Sequence, residues 1–501
     1  MHRQIANLIC KEGEAHSTVI EREGLSPVGI CRQPLAPYLK PLEVLKALAG
    51  RAFPFLLESA EGPFKTARYS IIGCDPLFTI RAKRFACRIR DANGERTLPG
   101  NPVDTIKELL APYRLPHQPQ LPQFFGGMVG LFSYDMKNYF EELPDEAEDD
   151  LDLPDCFLIC VDTVVVFDRM TGAVEIISSV FDCSDGAQAE AKAFSKVSQF
   201  LGKLNNGSTS ASEDARIGFG EMTSTHTIEK YSEMVVRAKE YIAAGDIFQA
   251  NLSQRLKIPF EGGTIELYRR LTRINPSPFA FYMDFGEFQL VSCSPERLVR
   301  VIGDFVETRP IAGTRPRGRS EAEDEALREE LILHPKERAE HIMIVDMARN
   351  DIGRVCTCGT VRPDELMVIE RYSHVFHIVS NIVGTLAPGR SCFDVLAAVF
   401  PGASITGVPK IRCMEIIDEL ESVRRGPYTG SLGWISYTGD MDLNIIIRTF
   451  VIKGGNAYIQ VGGGIVADSE PEREYQESLN KAQALIEALR TGKQIRRRPK
   501  S

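Results

Sequence analysis

Hydrophobic positions divide the chain into a first half rich in predicted strands and a second half that mixes helices with strands. Between residues 50 and 182, apolar or alternating runs such as FPFLLES, RYSIIGCDPLFTIRA and FLICVDTVVVFDR are separated by turns that contain Gly and Pro. In THTIEKYSEMVVRAKEYIAAGD, by contrast, Tyr231, Val235 and Ala238 recur at helical spacing and Gly245 ends the pattern. The change of period predicts an α+β protein with antiparallel strands.

Further elements follow in the second half. IFQANLSQRLKI predicts a strand that leaves the first helix, and LNIIIRTFVI and AYIQVG predict two more strands. KERAEHIMIVDMARNDIGR and SEPEREYQESLNKAQALIEAL predict helices, the second with Ser469 and Glu472 at the spacing of a capping box. Helices mixed with hairpin-linked strands favour a layered α+β body over a doubly wound nucleotide-binding sheet.

A change of composition marks the boundary between the halves. Residues 183–222 are rich in Ser, Gly, Asn, Ala and Glu, which predicts a flexible connection. We therefore divide the chain into an N-terminal region 1–182, a linker 183–222, a second region 223–490 and a basic tail 491–501.

Composition and charge exclude several classes of protein. Of the 501 residues, 43% are hydrophobic and 25% charged, as in globular proteins, and the net charge of −9 argues against a nucleic-acid partner. Lys11 and Glu12 interrupt the apolar run at the start, and no later window approaches the length of a membrane span. The twelve scattered cysteines show no zinc-binding spacing and are expected to be reduced thiols. We expect a cytoplasmic protein that does not bind a membrane.

Two pairs of glutamates are candidates for a metal site. Glu337 and Glu340 lie three residues apart on one predicted helix, and Glu474 and Glu477 do so on another, so each pair shares a helix face. Carboxylates from two helices could hold Mg²⁺ together with an anionic substrate. Solvation, or an ion pair such as Glu477 with Lys481, explains the same residues equally well.

Three successive glycines, Gly462 to Gly464, lie between a predicted strand and the start of a helix. Free amides in such a turn could bind an anionic oxygen, but a close crossing of two backbones would need the same glycines. Arg448, predicted in a strand with Asn444, could bind a carboxylate through two hydrogen bonds. None of these signals is specific when taken singly.

Taken together and in order, the segments resemble the chorismate-utilising enzymes, a family that includes anthranilate synthase component I, aminodeoxychorismate synthase component I, isochorismate synthase and salicylate synthase. The motifs that carry the resemblance are GDIFQANLSQR, SCSPERL, ETRPIAGTRPRG, KERAEHIMIVDMARNDIGR, ERYSHVFHIVSNI, FPGASITGVPKIRCMEIIDELE, RRGPYTGSLGWI and GGGIVADSEPEREYQES. The resemblance implies a layered α/β/β/α sandwich in which two antiparallel sheets enclose the active site.

The resemblance also implies roles for individual residues. Glu296 matches the general acid that protonates the departing C4 hydroxyl, and His377 matches the residue near the enolpyruvyl group. Glu340 and Glu477 match the Mg²⁺ ligands, with Glu337 and Glu474 as further candidates. The residues that match the chorismate-binding groups are Tyr428, Arg448, Gly462, Gly463, Gly464, Lys481, Ser404 and Thr406. A non-catalytic scaffold would be favoured if Glu296, Glu340, Glu477 or Arg448 were missing, and none is.

Gln249 bears on the choice of nucleophile. Isochorismate and salicylate synthases carry a lysine here that activates water, whereas an amide cannot act as a base at neutral pH. The resemblance therefore implies that ammonia is the nucleophile. Because the sequence shows no glutaminase signature, a separate glutamine amidotransferase subunit is expected to supply it.

Ala312, in ETRPIAGTRPRG, bears on the product. Many aminodeoxychorismate synthases carry a lysine here that adds to the ring first, so Ala312 alone favours anthranilate synthase. FPGASITG, QANLSQR, YTGSLGWI, GGGIVADS and EYQES instead resemble aminodeoxychorismate synthase. On balance we interpret the chain as forming 4-amino-4-deoxychorismate for para-aminobenzoate and folate synthesis, with anthranilate as the alternative product.

A last motif concerns regulation. Leu57, Glu58 and Ser59 resemble the tryptophan feedback site of anthranilate synthases, with NPSPFAF (275–281) as its other wall. Those enzymes usually carry methionine where Ala280 lies, so the pocket would be poorly filled. Weak inhibition by tryptophan, or none, is expected.

Overall fold

The computed structural model describes residues 14–206, 217–372 and 375–490, and the backbone of 493–494. The strands before residue 217 are β1 His16–Arg22, β2 Leu25–Pro34, β3 Phe55–Glu58, β4 Tyr69–Gly73, β5 Phe78–Lys83, β6 Ala86–Asp91, β7 Gly94–Pro99, β8 Gly127–Phe132, β9 Cys156–Val161, β10 Thr163–Asp168 and β11 Val174–Val180. The later strands are β12 Gly218–Phe219, β13 Thr223–Ser224, β14 Gln249–Glu261, β15 Phe279–Asp284, β16 Gln289–Ser294, β17 Arg297–Ile302, β18 Phe305–Arg309, β19 Ile311–Pro316, β20 Arg362–Arg371, β21 Val375–Thr385, β22 Gly407–Val408, β23 Ser431–Ser436, β24 Met441–Asn444, β25 Thr449–Lys453, β26 Asn456–Ile465 and β27 Lys493–Gln494.

Helices are interspersed among these strands throughout the chain. They are α1 Pro41–Ala47, α2 Pro102–Leu110, α3 Gly186–Asn206, α4 Ile228–Ala244, α5 Thr264–Ile274, α6 Glu321–Leu333, α7 Pro335–Gly353, α8 Cys392–Val399, α9 Lys410–Leu420, α10 Pro471–Lys481 and α11 Gln483–Arg490. Short 3-10 turns span Ala111–Tyr113, Tyr134–Tyr139 and Ala403–Ile405.

The strands form two large sheets. The first has the order β1-β2-β11-β10-β4-β3-β15-β16-β25-β26-β14-β12-β27, with β13 and β22 also paired to β14. The second has the order β19-β21-β18-β17-β24-β23-β8-β9-β5-β6-β7, with β20 paired to β21. All of these pairings except β12 with β27 are antiparallel. The predicted α+β class with two antiparallel sheets is confirmed.

Two cores create the layers. One contains side chains from both sheets, such as Phe55 and Ile71 of the first and Ile80 and Met128 of the second, so it fills the space between them. The other packs the opposite face of the first sheet against α1, α3, α5 and α11. On the second sheet, α2, α7 and α8 contribute to the shared core. The order of layers agrees with the predicted α/β/β/α sandwich.

The segment 183–222 differs from the expected flexible connection, because residues 186–206 form α3. The alanine-rich composition suits a helix, and Ala189, Ala193, Val197 and Phe200 pack its apolar stripe onto the first sheet. Strands from both sides of this segment also pair directly, as β3 does with β15 and β8 with β23. The two regions thus share both sheets. Residues 207–216 and most of the basic tail lie outside the described residues.

The predicted helix over SEPEREYQESLNKAQALIEAL divides into α10 and α11 at Ala482. The expected capping box is wrong: Glu470 is the N-cap residue, while the Ser469 hydroxyl donates to Glu474 Oε1 at 2.6 Å. The helix α4, by contrast, ends as predicted, with Gly245 in the left-handed conformation that glycine adopts without strain.

The expectations about the cysteines and about membrane-spanning helices can be compared with the described residues. Their eleven cysteines form no disulfide, and all but Cys358 are buried. Among the helices of the same residues, none combines the length and apolarity needed to cross a bilayer.

Candidate active site

The chain crosses between the two sheets at two adjacent places, and each crossing carries a candidate residue. Glu296 lies between β16 of the first sheet and β17 of the second, while Arg448 lies between β24 of the second and β25 of the first. The Ile445 amide donates to the Glu296 carbonyl at 3.0 Å, and the Cys293 amide donates to the Arg448 carbonyl at 3.2 Å. These backbone bonds fix the two residues side by side.

Glu296 has the environment of a carboxylic acid that is still partly protonated at neutral pH. Its side chain is buried, and burial raises its pKa to about 7 because the charged form is poorly solvated. Hydrogen bonds from the Ser404 hydroxyl at 2.7 Å and the Ile311 amide at 3.4 Å, and the charge of Arg448, offset part of this shift. A carboxyl with such a pKa can donate a proton to a departing hydroxyl.

Arg448 is not part of a strand, contrary to the prediction. Its φ of 52° places it in the left-handed region, which an arginine adopts only where neighbouring contacts impose it. Its guanidinium forms no ion pair with a carboxylate of the described residues, yet its charge lowers the pKa values of both Glu296 and His377. An unpaired arginine beside these two residues is suited to bind a carboxylate of a ligand.

His377, on β21, is a neutral imidazole. It is 3% exposed, and burial together with the charge of Arg448 lowers its pKa to about 3. Its Nδ1 lies 2.9 Å from the Thr314 hydroxyl and 3.4 Å from the Gly313 carbonyl. These contacts hold the ring in one orientation but leave it a weak base.

Ala312 lies on β19, the edge strand that borders His377. Ala312 pairs with Ile378 and Thr314 pairs with His377, so Gly313 forms a bulge between them. The φ of Gly313 is 75°, and a side chain there would approach Glu337 Oε2 to 3.0 Å. The bulge therefore brings the Ala312 segment close to the first glutamate pair.

The two glutamate pairs, on α7 and α10, lie close enough for their charges to interact. Burial raises the pKa of Glu340, and the negative charges of Glu337, Glu474 and Glu477 raise it further. Two lysines offset part of this repulsion: Lys336 Nζ lies 3.9 Å from Glu340 Oε1, and Lys481 Nζ lies 3.0 Å from Glu477 Oε1. Glu337 is already bound by Arg315 at 2.9 Å.

The described residues contain no cluster of three or more His, Cys, Asp or Glu side chains placed to hold a metal ion. Mg²⁺ does not need one, because it usually takes one or two carboxylates and completes its shell with water and an anionic substrate. The repelling carboxylates of Glu340 and Glu477 provide oxygen donors of this kind. Their chemistry fits a magnesium ion.

Gly462, Gly463 and Gly464 do not form the predicted turn; they lie in β26 and pair with β14. A Cβ on Gly462 would come within 2.2 Å of the Leu252 carbonyl oxygen, so a close crossing of two backbones explains that glycine. Lys481 donates to the Gly462 carbonyl at 3.0 Å and thereby links this strand to α10.

The sequence did not single out a buried ion pair behind Tyr428. Arg425 donates to Glu421 Oε1 at 2.6 Å and to Oε2 at 2.9 Å, and both side chains are almost completely buried. The same guanidinium binds the carbonyls of Asn251 and Ile405 and lies over the ring of Tyr428. The pair therefore joins three segments that carry candidate substrate-binding residues.

Ser404 and Thr406 have different roles in the structure. Ser404 uses its hydroxyl to bind Glu296. Thr406 is fully buried, and its hydroxyl donates to the Gly402 carbonyl at 2.9 Å. Its own carbonyl accepts the Asn251 amide at 2.8 Å, which makes it a structural support for β14.

Leu57, Glu58 and Ser59 line a cavity of about 650 Å³, including its open mouth, together with Phe279 and Ala280. The two predicted walls meet because Glu58 pairs with Ala280 across β3 and β15. Tyr268 donates to Glu58 Oε2 at 2.5 Å, and the Ser59 hydroxyl donates to the Tyr69 carbonyl at 2.8 Å. The cavity exists as expected, and its ligand stays a prediction.

Comparisons with known proteins give matches in both sequence and structure. Residues 55–487 match the family model described as chorismate binding enzyme. The chain is 43% identical over 463 residues to an anthranilate synthase component 1 of Acetivibrio thermocellus, covering 91% of this chain and 94% of that protein. It is 42% identical over 444 residues to an aminodeoxychorismate synthase component 1 of Bacillus subtilis, covering 89% and 93%. The crystal structure of an anthranilate synthase component I from Streptococcus pneumoniae TIGR4 superposes with a TM-score of 0.75 at 35% identity, covering 84% and 92%.

Proposed function

The chain belongs to the family of chorismate binding enzymes, and on this premise we propose that it joins ammonia to the ring of chorismate. The observation that carries the proposal is the buried acid Glu296 beside the unpaired Arg448. An acid with a pKa of about 7 can protonate a hydroxyl that would otherwise leave as hydroxide, while the arginine holds a carboxylate of the same molecule.

The absence of a lysine at position 249 supports ammonia over water. Gln249 begins β14 within the site, and its amide cannot remove a proton from water. His377 is a poor base for the same task because its pKa is about 3. Ammonia carries a reactive lone pair when it is not protonated, so it needs no such base.

In the proposed step, Glu296 first donates a proton and later regains one. The nitrogen lone pair forms the C–N bond as the C4–O bond breaks, and Glu296 gives its proton to the departing hydroxyl, which leaves as water. The new ammonium group then loses one proton, which restores the acid form of Glu296. Arg448 and Tyr428 bind and orient the substrate carboxylates, with Lys481 and the amides of Gly462 to Gly464 beside them.

Glu340 and Glu477 would hold Mg²⁺, with Glu337 and Glu474 beside them. When bound, the ion would neutralise and hold the ring carboxylate of chorismate. The chain's own contribution is to place four carboxylates on two helices next to the glycine strand.

A separate glutamine amidotransferase subunit would supply ammonia. The names of the similar proteins describe them as component 1 of a synthase, which supports a second subunit for this chain. Free ammonia is mostly protonated at neutral pH, so delivery from a partner would preserve its reactive form.

For the product we propose 4-amino-4-deoxychorismate. FPGASITG, QANLSQR and EYQES resemble that branch. Anthranilate is the second candidate. It is supported by Ala312, which cannot act as a nucleophile, and by the names of most of the similar proteins, which are anthranilate synthases.

Product analysis tests the proposal. The full chain is incubated with chorismate, Mg²⁺ and ammonium chloride, with and without an added 4-amino-4-deoxychorismate lyase. Formation of para-aminobenzoate only when lyase is present would support the proposed product, whereas lyase-independent fluorescent anthranilate would support the alternative. Chorismate left unchanged in both reactions would contradict the amination itself.

A further inference from the structure

A largely buried lysine joins three helices. Lys410 is the first residue of α9, and its Nζ donates to the Val399 carbonyl at 2.9 Å and to Asp351 Oδ2 at 2.7 Å. Val399 is the last residue of α8, and Asp351 lies in the last turn of α7. One ammonium group therefore ties α7, α8 and α9 together.

The position of Lys410 does not favour a cation. The N-terminus of a helix carries a partial positive charge, so a lysine in the first turn is repelled there. Its side chain is 12% exposed, and burial lowers its pKa, although the charge of Asp351 opposes this shift. Two further charged groups, Arg354 and Glu141, act on the lysine, and they lie 3.9 Å from each other. The lysine is thus held by its two hydrogen bonds and not by its helix.

The hydrogen bond to Val399 closes the segment 400–409, which connects α8 to α9. A carbonyl at the end of a helix has no partner within that helix, and a lysine side chain can satisfy it. Here the lysine comes from the other end of the connecting segment, so the bond holds the two ends of the segment together. Asp351 then fixes the closed segment to α7.

The closed segment carries the residue that contacts the proposed acid. The hydroxyl of Ser404 donates to Glu296 Oε1 at 2.7 Å. Glu296, Ser404 and Asp351 line one cavity of about 310 Å³, including its open mouth. A segment that borders empty space can shift, unlike one that is packed on every side. The hydroxyl therefore needs a separate restraint to stay bonded to Glu296.

The two sides of Ser404 are restrained by different contacts. After it, the carbonyl of Ile405 accepts from Arg425 at 3.0 Å, and β22 pairs with β14. Before it, the contact is that of Lys410 with the Val399 carbonyl. The lysine thus supplies the restraint on the side of the segment that β14 does not hold.

We propose that Lys410 and Asp351 are positioning residues for the acid: they hold the segment 400–409 so that the Ser404 hydroxyl stays bonded to Glu296. This inference rests on the proposed function. The bond from Ser404 favours the charged form of Glu296, so it limits the rise of the pKa that burial causes and keeps the acid able to release its proton. Loss of either partner of the ion pair should act on Glu296 through Ser404.

Three variants of the full chain test this role through the dependence of kcat on pH, at a fixed concentration of un-ionised ammonia. Lys410→Met removes both hydrogen bonds, and Asp351→Asn weakens one of them while keeping side-chain size. In both variants the fall of kcat near pH 7 should move to higher pH, by about one unit in Lys410→Met, because the bond from Ser404 is lost. Lys410→Met combined with Ser404→Ala should move the fall no further than Ser404→Ala alone.

The direction of the shift separates positioning from a direct effect of charge. If Asp351 acted on Glu296 through its negative charge, Asp351→Asn would move the fall of kcat to lower pH. That outcome, or shifts that add in the combined variant, would overturn the positioning role. Folded variants with the wild-type pH profile would also overturn it, and would leave the proposed function intact.

Lys203→Met is the matched control, because Lys203 of α3 binds Asp75 at 2.9 Å on the face of the first sheet that packs against helices. Its pH profile should match that of the wild type. Thermal melting confirms that each variant is folded, and Asp351→Asn alone decides the matter if the lysine variants fail to fold. A wild-type chain that consumes no chorismate with ammonium would overturn both the positioning role and the proposed function.

Discussion

Arg425 and Glu421 form a fully buried ion pair with two hydrogen bonds, 2.6 and 2.9 Å long, behind the candidate active site. Glu421 Oε1, which accepts the shorter of these two bonds, also accepts hydrogen bonds from the amide and the hydroxyl of Ser253. Removing one partner would leave a buried charge that is not neutralised. The loss of folding stability would then exceed the stability that the intact pair contributes.

The first prediction concerns this pair. Glu421→Gln should lower the free energy of unfolding by about 3–5 kcal/mol, because the charge of Arg425 would remain buried. Urea unfolding followed by circular dichroism measures the change. Glu325→Gln is the control, since its ion pair with Arg328 is exposed and worth about 0–1 kcal/mol. Equal effects of the two substitutions would refute the structural role of the buried pair.

A second prediction concerns the acid. Glu296→Gln should lower kcat by about 10²- to 10⁴-fold, since the amide cannot protonate the leaving hydroxyl. In the wild type, kcat at a fixed concentration of un-ionised ammonia should fall as the pH rises through about 7, where Glu296 loses its proton. Ser404→Ala removes a hydrogen bond that favours the carboxylate, so the fall should move to higher pH. If the pH profile of Ser404→Ala matches that of the wild type, Ser404 does not influence the acid that titrates.

The third prediction concerns magnesium. Glu340→Gln and Glu477→Gln should each abolish turnover while the melting temperature changes little, because both side chains lie at the margin of the site rather than in a core. Glu472→Gln provides the control, since Glu472 is exposed on the same helix as Glu477. The Mg²⁺ dependence of turnover is measured for all three. Wild-type rates with unchanged dependence in Glu477→Gln would show that this residue is not a ligand.

Tryptophan provides the fourth prediction. Because an alanine stands at position 280 where the enzymes with a tryptophan feedback site usually carry methionine, we expect weak inhibition or none. Initial rates at increasing tryptophan concentrations measure this. Tight inhibition of the unmodified chain at micromolar tryptophan would contradict the expectation and favour the anthranilate product.

The fifth prediction concerns Ala312. Ala312→Lys introduces an amine near the substrate, and we expect a covalent adduct with chorismate that mass spectrometry of the intact variant detects. The lysine must be unprotonated to react, and its neighbours were not selected to lower its pKa, so amination should continue at a reduced rate. An adduct on the wild-type protein would instead identify another residue as the nucleophile.

The sequence predicts those features that depend on periodicity and on motif order. The helix over 228–244 and the strand that begins at Gln249 follow from spacing, whereas the approach of the two glutamate pairs is implied only by the motif order. The position of Arg448 does not, because an apolar run such as LNIIIRTFVI gives no sign that the chain leaves one sheet and enters another.

Two further features of the structure are not indicated by the local sequence pattern. Glu421 and Arg425 are four residues apart, which suggests an ordinary pair on a helix surface, but α9 ends at Leu420 and the pair lies beyond it in the interior. Asn251 Oδ1 is buried and accepts no hydrogen bond from the described residues, which the sequence cannot show because it depends on what approaches the strand from other segments. Both are properties of tertiary contacts rather than of spacing.

The position of β26 has a consequence for synthesis on the ribosome. This strand, residues Asn456–Ile465, is translated well after β14, yet it lies between β25 and β14 in the interior of the first sheet. Until it emerges, β14 lacks the neighbour that pairs with it along most of its length. The nascent chain must therefore protect an open sheet edge, and the surface that carries Gln249 and Asn251 is completed only after β26 has been made.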